Sequence, residues 1–132
     1  MKMAEEKLFC DLVEICSKLR GKGGCMWDRE QTHKSLIRHL KEESGEVIDA
    51  IEKDDKDNLK EELGDLLYQV IFHSEIASEA GDFNIWDVVT TLKEKLIRRH
   101  PHIFGAVNVS SVDDIIKNWE NIKKQEKKDR GI

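Results

Sequence analysis

Two short acidic strings carry the strongest chemical signal in the chain. Glu42-Glu43-Ser44-Gly45-Glu46 and Glu61-Glu62-Leu63-Gly64-Asp65 each set carboxylates three residues apart, which makes them neighbours on a helix surface. At 100° per residue, Glu43 projects within about 20° of Leu36, inside the apolar arc of its helix, with Glu46 on the edge. Glu62 and Asp65 flank the Leu59–Leu66 face of the next element. A carboxylate taken out of water without a partner is strongly unfavourable. Four of them facing one space between helices repel each other, and a divalent cation is the natural compensation. An all-oxygen set suits Mg²⁺, with Mn²⁺ as a substitute. The plainer reading is two solvated Glu-rich faces with lysine partners, with Gly45 and Gly64 there for close helix packing. A carboxylate-bridged iron centre is disfavoured, because that design uses Glu-x-x-His and the residues three after Glu43 and Glu62 are Glu46 and Asp65.

Other candidates lie late in the chain. Lys95, Arg98 and Arg99 close a helix, where cations also simply complement the dipole. Trp119 and Lys123 sit one turn apart, and a tryptophan so placed is more often core than a stacking platform. The five histidines show no metal-ligand spacing, and His73 reads as a satisfied core residue. Cys25, near Trp27 and Asp28, has no partner pattern of a nucleophile. Gly21-Lys22-Gly23-Gly24 lacks the spacing and the Lys-Ser ending of a phosphate loop.

The elements that must position these groups read as helices throughout. Leu8, Leu12, Ile15 and Leu19 mark a first helix ending near Arg20, where glycines 21, 23 and 24 break it. Asp28 or Thr32 is the expected cap of a second, running to about Lys53 with Leu36, Leu40, Val47 and Ile51 as its stripe. A third covers about Asn58 to Ala80 and stops at Gly81. Its face is Leu59, Leu63, Leu66, Val70 and Ala77, while Phe72 and Ile76 lie off it. A helix apolar on more than one side is buried on more than one side, which points to a homo-oligomer. Asn84 opens a fourth helix, with Ile85, Val88, Val89, Leu92 and Leu96 inward, ending before Pro101. Ser110 or Ser111 opens the last, with Val112, Ile115, Ile116, Trp119 and Ile122 as its stripe and fraying expected from Lys127. No strand alternation is present. The expected class is all-α, a bundle of about five helices in one domain over 1–132.

Length and composition agree. The chain has 132 residues, too few for two ordinary domains. Its 27 acidic against 22 basic residues, a net charge of −5, argue against a nucleic-acid binder. Three cysteines without a CxxC pair fit reduced thiols in the cytoplasm. The first residues lack the apolar core of a signal peptide, and no apolar run approaches the length of a membrane span.

Read together, several stretches resemble the MazG family of all-α nucleoside triphosphate pyrophosphohydrolases. They are CMWDREQTHKSL at 25–36, EESGEVIDAI at 42–51, EELGDLLYQVIFH at 61–73, EKLIRRHPHIFG at 94–105 and NWENIKKQEK at 118–127. They cover most of the chain in the family's order. The family hallmark is EExxE followed by ExxD, matched here by Glu42–Glu46 and Glu62–Asp65.

The resemblance implies hydrolysis of nucleoside triphosphates between the α and β phosphates, in ribo- or deoxyribo-form, giving monophosphate and pyrophosphate. It implies Glu43, Glu46, Glu62 and Asp65 as Mg²⁺ ligands and Glu42 as a supporting residue or orienter of the attacking water. Lys95, Arg99 and their neighbour Arg98 correspond to phosphate-binding cations, and Trp119 and Lys123 to a late nucleotide-contacting pair. Trp27, Asp28 and Gln31 belong to a loop beside the pocket. A house-cleaning role on the nucleotide pool follows from the same resemblance, and the two-sided apolar helix makes a homodimer or homotetramer the expected assembly. Many relatives carry two such domains; with one copy here, every site is expected to come from it. The sequence departs from the family at Met26 and Arg38, where proline is usual, and at Gly45, where a larger residue is common. These departures bear on substrate preference. The alternatives are a narrower deoxynucleotide or phosphoribosyl-ATP pyrophosphohydrolase, or a helical module that senses nucleotide or metal without turnover.

Overall fold

A computed structural model describes residues 2–131. Seven helices follow in order: α1 (Lys2–Arg20), α2 (Met26–Glu30), α3 (Ile37–Glu52), α4 (Lys56–Glu79), α5 (Ile85–Arg99), α6 (Pro101–Phe104) and α7 (Val112–Asp129). No strand occurs among the described residues. The five long helices answer to the five expected, with α2 split off the start of the expected second and α6 a short addition. Within the described residues no helix is long and apolar enough to cross a membrane. The chain divides into two compact units, the first ending at Ile85 and the second beginning at Trp86.

In the first unit, α1 ends where the chain folds back over its own last turn. Cys25 N donates to the Leu19 carbonyl at 2.8 Å. A Cβ on Gly24 would collide with that same carbonyl, so only glycine fits the crossing. The expected second helix is two helices, and neither Asp28 nor Thr32 caps the longer one. Asp28 lies inside α2 and is buried, and Leu36 precedes α3 with no side-chain cap. The interruption has a cause. Arg20 Nη1 donates to the carbonyls of Asp28 at 2.6 Å and Gln31 at 2.9 Å, oxygens that a continuous helix would use itself. Thr32 N donates to Ser35 Oγ and Ser35 N to Thr32 Oγ1, a local alternative to helix hydrogen bonding. Arg20 also grips Glu79 through Nε at 2.5 Å and Nη2 at 3.0 Å, which ties the end of α1 to the end of α4.

α3 and α4 form an antiparallel pair joined by Lys53, Asp54 and Asp55. Asp54 takes a left-handed φ of 51°, and Asp55 caps α4 by accepting from Asn58 N at 3.2 Å. α3 packs chiefly on α4, while α1 touches α2 and α4. The core is Cys16, Leu36, Ala50, Ile71, Phe72 and Ala77. This corrects the expected stripes, including that of α3, where Leu36 is buried but Leu40 and Ile51 are exposed. On α4 the buried side runs through Ile71 and Phe72, whereas Leu63, Leu67 and Val70 are exposed; on α1 the buried residue is Cys16, with Leu8 and Ile15 open. The close-packing role for Gly45 and Gly64 is also overturned, since a Cβ at either would meet nothing within 4 Å. Gly81, at φ 77°, ends α4 as expected.

In the second unit, α5 stops at Arg99 and Pro101 starts α6 at its first turn, a position that needs no N–H. Ser111 caps α7 by accepting from Asp114 N at 3.2 Å, and Asp114 Oδ2 accepts from Ser110 N and Oγ in return. Of the expected inward residues of α5, Ile85 is buried but Val89, Leu92 and Leu96 are exposed; on α7, Val112 and Ile116 are exposed too.

Candidate functional site

The α3–α4 pair brings four of the candidate carboxylates together. Glu43 and Glu46 stand one turn apart on α3, Glu62 and Asp65 one turn apart on α4. Each offers an oxygen, and these oxygens all lie within 4.8 Å of one another. An octahedral ion with bonds of about 2.1 Å places opposite oxygens about 4.2 Å apart, so a small inward movement closes the set on a cation. Glu43 Oε2 and Glu62 Oε2 are buried and without a hydrogen-bond partner. A buried acceptor left unsatisfied is costly, and here two sit in one acidic cluster with no lysine or arginine bonded to them. The donor set is all oxygen, with no imidazole or thiolate, which fits a hard divalent cation. Glu42 stays outside the cluster, exposed, 3.7 Å from Arg38 and 3.9 Å from His39.

The electrostatics follow from the crowding. Glu62 is pushed up to about 7, first by a carboxyl–carboxyl hydrogen bond with Glu46, then by desolvation and the charges of Glu46, Asp65 and Glu43. Desolvation, followed by the charges of Glu46 and Asp65, raises Glu43. Both shifts say that the cluster as it stands lacks positive charge.

The loop candidates separate. Trp27 is half exposed, its ring edge-on to His39 at 5.4 Å, and His39 lies one turn before Glu43 on α3. Gln31 donates Nε2 to the Trp27 carbonyl at 3.0 Å and accepts from Ser35 Oγ at 2.8 Å. Asp28 is buried, its Oδ1 accepting from the Tyr68 hydroxyl at 3.0 Å. His73 is only partly satisfied. Its Nδ1 meets His33 Nδ1 at 2.8 Å, but its Nε2 is buried without a partner.

In the second unit, Lys95, Arg98 and Arg99 of α5 line a cavity of about 470 Å³ with Glu126, Asp129 and Arg130. Arg99 lies over the Trp119 ring, 5.4 Å from its centre, and His100 meets that ring edge-on at 5.1 Å. Lys123 is half-buried on α7. Sequence reasoning missed Glu126, which binds both arginines, as well as Tyr68 and Arg20. Each acts through a long-range pairing that no spacing reveals.

Residues 31–104 match the model of the MazG nucleotide pyrophosphohydrolase domain. The chain belongs to the MazG family. It is 56% identical over 120 residues to a Thermotoga maritima protein named nucleoside triphosphate pyrophosphohydrolase/pyrophosphatase MazG, covering 91% of this chain and 46% of that one. It is 41% identical over 117 residues to the nucleoside triphosphate pyrophosphohydrolase of Escherichia coli K12, covering 88% and 44%. The chain therefore spans less than half the length of these two MazG relatives. The crystal structure of a mazG-related protein from Thermotoga maritima superposes with a TM-score of 0.71 at 30% identity, over 86% of this chain and 97% of that one. The all-α MazG fold expected from the sequence is the fold found.

Proposed function

We propose that this MazG domain hydrolyses nucleoside triphosphates, ribo- or deoxyribo-, to the monophosphate and pyrophosphate, as part of clearing unwanted nucleotides from the cytoplasm. The observation that carries the proposal is the pair of orphaned, buried oxygens of Glu43 and Glu62 inside a four-carboxylate cluster, in a chain whose relatives are named for this reaction.

In this reading Glu43, Glu46, Glu62 and Asp65 hold Mg²⁺, with Mn²⁺ able to replace it. Bound there, the cation would screen the substrate's charge and acidify a water for attack on the α-phosphorus. Glu42, exposed and close to Glu43 along α3, orients that water or supports the ligands. Lys95, Arg98, Arg99 and Lys123 hold the phosphates and stabilise the charge that gathers on departing pyrophosphate. Trp119 and Lys123 contact the nucleotide, and Trp27, Asp28 and Gln31 belong to the substrate-binding loop before α3.

A homodimer or homotetramer is part of the proposal. Leu63, Leu67 and Val70 on α4 and Ile37, Leu40, Ile48 and Ile51 on α3 are exposed, apolar surface that a second copy would cover. The net charge of −5 favours free nucleotides over nucleic acid as ligands. A reducing cytoplasm suits the three free cysteines.

The test is a product assay on purified protein with Mg²⁺ and the eight standard NTPs and dNTPs, with Asp65→Asn as control. Monophosphate and pyrophosphate, lost in the variant, support the reading. Diphosphate and phosphate overturn the scissile bond. Tight nucleotide binding without turnover favours the sensor.

A further inference from the structure

Among the candidate phosphate ligands, Arg98 and Arg99 are not free: one carboxylate, on α7, holds both. Glu126 Oε2 accepts from Arg98 Nε at 2.5 Å and Oε1 from Arg99 Nη2 at 2.8 Å, with Arg99 Nε also 3.5 Å from Oε2. The side chains of Glu126 and Arg99 are only 13% and 14% exposed, so that pair is a built contact, which Arg98 joins from a half-exposed position. It engages the inner, Nε edge of each guanidinium. A guanidinium has five N–H donors, and the outer groups remain, both terminal nitrogens of Arg98 and Nη1 of Arg99. Arg99 Cζ lies over the Trp119 ring, 5.4 Å from its centre, so a cation–π contact holds Arg99 besides the ion pair. The cavity beside it carries Lys95, Arg98, Arg99 and Arg130 against Glu126 and Asp129, a net charge of two positives from side chains alone.

We propose that Glu126 is a positioning residue, which holds Arg98 and Arg99 by their inner edges so that their outer N–H groups, with Lys95, form a preset seat for a polyphosphate. Held well below the usual carboxylate range by the two arginines, to about 2, Glu126 stays charged wherever the enzyme works. Without it the two guanidiniums repel and their long stems spread over many rotamers, an ordering cost the ligand must then meet. The inference rests on the reading of Lys95 and Arg99 as phosphate ligands, and its test separates the two.

Inorganic pyrophosphate is titrated calorimetrically into wild type, Lys95→Ala, Glu126→Gln and Glu126→Asp, with thermal melts confirming that each is folded. Loss of the Glu126 charge is expected to weaken pyrophosphate binding about tenfold, with partial recovery in Glu126→Asp, which keeps the charge. In turnover, Glu126→Gln should lower kcat/KM at least as much, because the arginines it holds also meet the charge on departing pyrophosphate. Glu126→Gln binding as tightly as wild type overturns the inference, and binding more tightly makes Glu126 a competitor for the seat rather than its support. If Lys95→Ala binds like wild type, the phosphate-ligand reading itself fails, whatever Glu126 does.

Discussion

Tyr68 donates its hydroxyl hydrogen to Asp28 Oδ1 over 3.0 Å, fastening the middle of α4 to the short helix α2. Asp28 is only 6% exposed, so the bond has no water to replace it. Tyr68→Phe leaves a buried carboxylate oxygen unpaired, and chemical denaturation should show a loss of about 1–3 kcal/mol. A loss near zero would mean that Asp28 finds another donor and that the α2 segment is held by Arg20 alone.

The carboxylate cluster makes opposite demands on stability with and without a cation. Wild-type protein should melt higher in Mg²⁺ than in chelator, by ligand linkage. Glu43→Gln removes one of four crowded charges, so its melting temperature in chelator should equal or exceed that of wild type. The Mg²⁺ increment should vanish, and kcat should fall by about a hundredfold or more. A variant that stays folded and keeps wild-type turnover removes Glu43 from the site.

Acid should unpick the second unit through Glu126. Its folded-state value of about 2 lies below the ordinary 4.5, because Arg99 and Arg98 bond its charged form. A depressed carboxylate stabilises the fold fully above the unfolded value, and that contribution is lost as pH falls from about 4.5 toward 2. Asp114, lowered by its bonds to Ser110 and Ser111, acts in the same direction. A pH series of melts should show this acid decline, and Glu126→Gln should flatten it. Equal slopes in the two proteins would refute the linkage.

Gly45 and Gly64 stand inside long helices with open space where a Cβ would go. Alanine at either should stabilise the isolated protein by about 0.5–1 kcal/mol in denaturation experiments, by helix propensity. Destabilisation at one site would instead mark a position where another subunit approaches the helix.

How far the sequence could be read depended on the range of the forces involved. Three-residue spacing placed Glu43 with Glu46 and Glu62 with Asp65, and the short Lys53–Asp55 connection made it natural for the two helices to pair. Glycine and proline marked the ends of α1, α4 and α5, because backbone sterics act locally. The second helix was misread because Arg20, distant in sequence from Glu79, takes up the carbonyls of Asp28 and Gln31. The face of α4 was misread for a similar reason. Leu63 and Val70 have the periodicity of a core stripe, but which stripe a lone chain covers is decided by packing against α3 and α1. Glu126 left no trace in spacing, since its meaning lies in α5.

All four clustered carboxylates fall between residues 43 and 65, in one helical hairpin closed by three residues. The loop that must close to assemble them is short, and its entropy cost is correspondingly small. Assembly of this acidic face therefore needs only local contacts, and it is expected early in folding. If the cluster holds Mg²⁺ as proposed, partly opened forms of the protein that keep the α3–α4 hairpin should also keep affinity for it. Hydrogen exchange in Mg²⁺ should slow amides of α3 and α4 while α1 continues to open at its ion-free rate.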